Sequence, residues 1–150
     1  MPAAVWEELT RKFGTAITRE QEEPITIVVV EAGALQEFAA FLKEELNFDF
    51  MLFVTAVDYQ THLEVVYGVR STAKNQDLLF KTRVSAEAPR VPSLAGLYPA
   101  ADWDEREVFD LFGVEFAGHP NLTRILLPDD WEGHPLRKSY PLTKRPQKPY

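Results

Sequence analysis

Apolar residues recur at helical spacing near the start of the chain: Val5, Trp6, Leu9 and Phe13. Gly14 follows as a residue tolerant of positive φ, so a helix is predicted over residues 2–13. "TAIT" (15–18) reads as a short strand, and "ITIVVV" (25–30), β-branched and apolar on both faces, as a buried one. Leu35, Phe38, Ala39, Leu42 and Leu46 form the inward stripe of a second helix over 35–46. "DFMLFVTAVD" (49–58) is again apolar on both faces and predicts a central strand. In "HLEVVYGVR" (62–70) Leu63, Val65, Tyr67 and Val69 share one side, with His62, Glu64 and Arg70 on the other. "LLFKTRVS" (78–85) alternates in the same way, so the last three strands predict an antiparallel meander. The expected fold class is α+β: a two-layer domain with a mixed, mostly antiparallel sheet of about five strands and helices on one face.

The pattern changes near Pro89, at or beyond which lie nine of the eleven prolines. Pro89, Pro92 and Pro99 mark a connector. Residues 101–112 predict a third helix, with Asp102 as its N-cap, Val108, Leu111 and Phe112 facing inward beside Glu105, and Gly113 as its stop. Beyond Val114 the prolines at 120, 128, 135, 141, 146 and 149 exclude long helices and central strands. The expected organisation is a globular α+β body over 1–98, continued in the same structural unit by a short helix and an extended partner-binding arm over 99–150. Ordering an arm costs about 1–2 kcal/mol per residue in backbone entropy. Without a partner it should therefore be mobile, and a protease should cut after about residue 113.

Charge sharpens this division. The net charge is −7, yet residues 119–150 hold six Lys/Arg against three Asp/Glu, leaving ten and twenty in the rest. A basic arm on an acidic body suggests an acidic partner surface. The overall acidity argues against nucleic-acid binding. No apolar run approaches the roughly eighteen residues of a membrane span. The opening "MPAAVWEELTRKF" reads as an amphipathic helix rather than a leader, and a cytoplasmic location is expected. The chain has no cysteine, so it can form no disulfide, use no Cys nucleophile and hold no thiolate-ligated zinc or iron–sulfur cluster.

Candidate chemistry concentrates in "EREVFDLFGVEFAGHPNLTRILLPDDWEGHPLRKSYPL" (105–142). His119 and His134 flank Asp129, Asp130 and Glu132, a set that a metal-dependent enzyme could use, but the spacing matches no compact ligand motif. Both histidines sit in Gly-His-Pro, which is turn chemistry. Glu105, Glu107 and Asp110 could serve as an acid/base group, but they read more simply as an exposed helix face with Arg106 and Asp110 as an i, i+4 ion pair. Trp, Tyr and Arg dominate interface energetics, so Trp131, Arg124, Arg137 and Tyr140 favour binding over catalysis.

The same stretch closely resembles the signature of the 30 kDa-subunit family (the C subunit) of the proton-pumping NADH:quinone oxidoreductase, respiratory complex I. The resemblance is carried by Glu105-Arg106-Glu107, Asp110-Leu111-Phe112-Gly113, Gly118-His119-Pro120, Arg124-Ile125-Leu126, Asp130-Trp131-Glu132-Gly133, Pro135-Leu136-Arg137-Lys138 and Tyr140-Pro141-Leu142. Thr123 and Ser139 depart from it, standing where family members often carry a basic residue and an Asp. The resemblance implies a structural subunit of the peripheral arm, on the cytoplasmic face of the cell membrane and attached to it only through the complex. It implies no catalytic, cofactor or metal residue on this chain, with FMN, iron–sulfur clusters and quinone carried by other subunits. It names as partners the large quinone-site subunit, a homologue of hydrogenase large subunits, and the adjacent iron–sulfur subunits. Partner contacts are then expected from Glu105, Arg106, Glu107, Asp110, Phe112 and Gly113 on the helix. From the arm they are expected at His119, Pro120, Arg124, Asp130, Trp131, Glu132, Arg137, Lys138 and Tyr140. Relatives linked to F420, ferredoxin or hydrogenase share the signature, so it leaves the electron donor open.

Overall fold

A computed structural model describes residues 1–143. The first helix forms as α1 (Ala3–Phe13), with Leu9 and Phe13 buried and Gly14 closing it at φ +54°. β1 (Ile17–Gln21) and β2 (Thr26–Val30) pair antiparallel, and α2 (Leu35–Glu44) follows. β3 (Phe50–Asp58), β4 (His62–Ser71) and β5 (Gln76–Ser85) form the expected meander. β5 then returns parallel to β2, giving the sheet order β1-β2-β5-β4-β3. The α+β class and its element order are as the periodicity predicts.

The core lies between the helices and one face of the sheet. Phe13, Phe38 and Phe80 meet edge to face at 5.3 and 5.4 Å, and Tyr67 stacks on Phe80 at 4.9 Å. On the other face Glu64, although buried, is held by Lys81 at 2.8 Å and Arg83 at 3.2 Å, and Arg70 pairs with Asp77.

Two features differ from the sequence reading. The strand at 50–58 is an edge strand, not a central one. α3 (Ala101–Phe112) lies along it, and Asp104 Oδ2 accepts the Val54 N–H at 3.2 Å. A helix that shields a strand's face and also caps its free edge lets an edge strand be as apolar as a central one. The second is a ribbon of β6 (Arg90–Pro92) parallel to β7 (Glu115–Ala117), strands too short for any periodic signal. The ribbon joins the segments on either side of α3. It carries Val91, Val114 and Phe116 into the same core as Leu9 and Phe38. Tyr98 adds to the tie by donating to the Phe48 carbonyl at 2.6 Å. Residues 98–117 therefore complete the body's core.

Candidate functional site

α3 is enclosed on two sides, and a carboxylate is buried on each. Toward the body, Glu105 shares the stripe of Ala101 and Val108 and is fully buried. Its Oε2 accepts Ser93 Oγ at 2.5 Å and its Oε1 the Leu94 N–H at 2.6 Å. His119 Nε2 lies 3.9 Å from Oε2, and 2.9 Å from the Asp102 carbonyl and 3.0 Å from its carboxylate. His119 Nδ1 accepts the Asn121 N–H at 3.0 Å, which leaves the ring proton on Nε2. The Tyr67 hydroxyl is buried in the same core without a hydrogen-bond partner. Burial pushes the Glu105 carboxyl above its ordinary range, against the Ser93 and Leu94 bonds that lower it.

On the outer side, Asp110 is also fully buried, under the arm. Arg124 Nη1 donates to Oδ1 at 2.7 Å and to the Asp110 carbonyl at 3.1 Å. Oδ2 accepts three successive backbone N–H groups, those of Ile125, Leu126 and Leu127, at 3.2, 2.8 and 2.9 Å. Consecutive amides of this kind form an anion-binding nest. Arg124 Nη2 reaches on to the carbonyls of Trp131 and Gly133, both at 2.9 Å. Burial raises the Asp110 carboxyl, but the Arg124 bond and the three amides outweigh it and hold it below its ordinary range.

The arm then returns to the body. His134 Nδ1 bonds the Asp110 carbonyl at 2.9 Å, and the Leu136 N–H bonds the Leu111 carbonyl at 2.9 Å. Arg137 donates to Ala86 O at 2.5 Å and Phe112 O at 3.3 Å, and its Nε stands 3.4 Å from Asp58 Oδ2. Asp58, the last residue of β3, also accepts the Lys138 N–H at 2.7 Å.

Several expectations are corrected here. Glu105 and Asp110 are not on an exposed helix face, because α3 is sandwiched between body and arm; of the three carboxylates only Glu107 is exposed. Asp110 pairs with Arg124 rather than Arg106. Arg106 stacks 5.0 Å over Trp103 and donates to Thr123 and Arg124, so Thr123 supplies an acceptor where many family members carry a cation. Asp102 is not the N-cap: Ala100 holds that position, and Asp102 faces His119. As far as residue 143 the arm does not stand off from the domain, since three arginines tie it down.

The remaining predicted residues differ in burial. Gly113 caps α3 at φ +77°, and Phe112 is half-buried against the core. The two Gly-His-Pro turns form with Gly118 at φ +81° and Gly133 at +86°. They turn His119 and His134 onto different partners, Asp102 and Asp110. Trp131 is half-buried with its indole N–H unbonded, and Tyr140 is half-buried. Pro120, Asp130, Glu132 and Lys138 are exposed, whereas Lys144, Arg145 and Lys148 lie outside the described residues. Among the described residues no group of three or more His, Asp or Glu could hold a metal ion. Sequence reasoning missed Ser93, Asp58 and Tyr67, each supplied by a distant segment.

The two carboxylates load α3 with opposite pH dependences. Glu105, raised, contributes stability that is full below its ordinary pKa and is lost as pH rises through the raised value. Glu105→Gln keeps an acceptor for Leu94, and the Ser93 hydroxyl can turn to accept. The melting temperature of the variant minus that of the wild type should therefore increase from about pH 4 to pH 8. A flat difference across that range in thermal scans would contradict the assignment.

An α+β body with a proline-rich arm clasped around its third helix is a recognisable class of domain, and its signature lies in the clasp. The chain belongs to the family described as the respiratory-chain NADH dehydrogenase 30 Kd subunit, whose model matches residues 28–146. It is 43% identical over 151 residues to the NADH-quinone oxidoreductase C subunit of Salinispora tropica, covering 91% of this chain and 58% of that one. The chain thus spans little more than half the length of the first such relatives. To the subunit of the same name from Moorella thermoacetica it is 44% identical, covering 91% of this chain and 93% of that one. Among solved structures it matches a trypsin-resistant fragment (1–134) of Nqo5 with TM-score 0.69 at 27% identity, over 79% of this chain and 98% of the other. It also matches a chain of the membrane-bound sulfane sulfur reductase, an archaeal respiratory membrane complex. The TM-score there is 0.80 at 28% identity, over 93% of this chain and 85% of the other.

Proposed function

We propose that the chain is a non-catalytic structural subunit of the peripheral arm of a membrane-bound NADH:quinone oxidoreductase. It helps build the quinone-reducing module that couples electron transfer to proton translocation. Its partners are the large quinone-site subunit, homologous to hydrogenase large subunits, and the adjacent iron–sulfur subunits. FMN, iron–sulfur clusters and quinone belong to those neighbours, and the chain reaches the cytoplasmic face of the membrane only through them. One observation supports this reading: Asp110, Arg124 and Arg137 of the signature are engaged in holding the arm. Asp110 accepts four donors from the arm, and Arg124 and Arg137 each bridge several carbonyls. Groups fixed in this way shape a surface.

The test is turnover per assembled complex. Substitutions at Glu105, Asp110 and His119 should lower NADH-driven quinone reduction by membranes only in proportion to the amount of complex assembled. Full assembly with depressed turnover would instead give this chain a catalytic role. The likeness to the archaeal sulfane sulfur reductase supports a second reading, a subunit of a related assembly with another donor. Membranes that reduce quinone with reduced ferredoxin but not with NADH would select it.

A further inference from the structure

The two Gly-His-Pro turns repeat the same three residues but hold opposite histidine tautomers. His119 Nδ1 accepts the Asn121 N–H at 3.0 Å, and its Nε2 lies 2.9 Å from the Asp102 carbonyl. A backbone N–H only donates and a carbonyl only accepts, so both contacts place the ring proton on Nε2. At His134 the order is reversed. Its Nδ1 meets the Asp110 carbonyl at 2.9 Å and must donate, which puts the proton on Nδ1 and the lone pair on Nε2.

A second ring proton therefore has different consequences at the two turns. At His134 it adds to Nε2 and leaves the bond to Asp110 in place. At His119 it can add only to Nδ1, where it sets N–H against N–H and removes the acceptor for Asn121. The charged groups facing the buried His119 ring are Asp102 and Glu105 of α3, whose carboxylates lie 3.0 and 3.9 Å from Nε2. Behind them the titratable group on the sheet is Tyr67 of β4, whose buried hydroxyl feels the Glu105 charge. Among the described residues neither carboxylate pairs with a lysine or arginine, so an imidazolium would gain charge-assisted bonds to both. The carboxylates thus suit the charged ring, and the Asn121 amide suits only the neutral one. Opposed demands of this kind give a histidine two discrete arrangements.

The Asn121 peptide carries the difference onward. Its carbonyl accepts the Thr123 N–H at 3.0 Å, and the Thr123 carbonyl and hydroxyl each accept an Arg106 donor at 3.1 Å. Asn121 and Thr123 are exposed, so an amide released there passes to water while α3 stays folded.

We propose that the 119–123 turn, where the arm leaves the β6–β7 ribbon, is a proton-operated latch with His119 as its sensor. The second ring proton frees Asn121 and slackens the tie between Thr123 and Arg106, while the His134 turn stays shut. The device lies within this chain and is the same whichever assembly the chain joins.

Nitrogen-15 NMR of the full chain tests it. At about pH 8, where imidazole is mostly neutral, His119 should carry its proton on Nε2 and His134 on Nδ1. The coupling across the hydrogen bond between the Asn121 amide and His119 Nδ1 should vanish as that ring takes its second proton. His119→Asn sets an amide oxygen near the place of Nδ1 and cannot titrate. With His119 protonated, Arg106 Nε–H should exchange at least about threefold faster in the wild type than in this variant at the same pH. Should the variant not fold, the Nε–H of Arg70, bonded to Asp77 on the sheet, is the reference within the wild type. Like tautomers in the two rings overturn the proposal, and so does a coupling that survives protonation of His119. Equal Arg106 exchange in the two proteins, or Arg106 exchange that tracks Arg70, overturns the latch.

Discussion

Asp110→Ala is expected to cost about 3–5 kcal/mol of folding free energy, the range for breaking one side of a buried ion pair. The carboxylate side chain is fully buried, and the Arg124 side chain opposite it is only 12% exposed. Truncation leaves that guanidinium short of its counter-charge and strands the amides of Ile125, Leu126 and Leu127. The loss should appear in urea unfolding and, more locally, in proteolysis. The wild-type clasp should resist trypsin at Arg124 and Arg137, and the variant should be cut there first. A variant as stable and as protease-resistant as wild type would show that this carboxylate does not hold the arm. pH provides a second check. Because the Asp110 carboxyl is held low, its contribution is complete above the ordinary carboxylate range and is lost as pH falls through the lowered value. Acid should therefore release the arm in the wild type as the substitution does at neutral pH.

Gly113→Ala should cost about 2–4 kcal/mol from two separable sources. The residue sits at φ +77°, and a Cβ there would stand 2.6 Å from His134 Cδ2 and 2.9 Å from its Nε2. The ring would have to leave, taking its bond to the Asp110 carbonyl with it. Combining Gly113→Ala with His134→Ala removes the clash but keeps the backbone strain. The double variant should be more stable than the sum of the two single losses predicts, by about 1–2 kcal/mol. Strict additivity in thermal unfolding would mean that the ring does not press on Gly113.

Much of the molecule was legible residue by residue. The apolar period placed α3 over 101–112, and Gly113 marked its stop, as observed. The two Gly-His-Pro turns followed from turn chemistry alone. Glu105 was legible in part: Ala101, Glu105 and Val108 make one helical stripe, but a carboxylate is ordinarily assigned to solvent. Its partners Ser93 and Leu94 come from another segment and have no local signal. Asp110 was less legible, because every donor to its carboxylate lies 14 to 17 residues further on. The β3 edge was misread because its cover, α3, is some fifty residues away.

The sequence by itself determined the three helices, the five strands of the main sheet, the fold class and the stretch that matters, because each depends on side chains a few residues apart. Tertiary structure alone decided which carboxylates are buried, which strand is an edge and which way the arginines of the arm turn. A guanidinium can satisfy its donors on a partner's carboxylates or on its own chain's carbonyls, and only the path of the chain brings one set within reach.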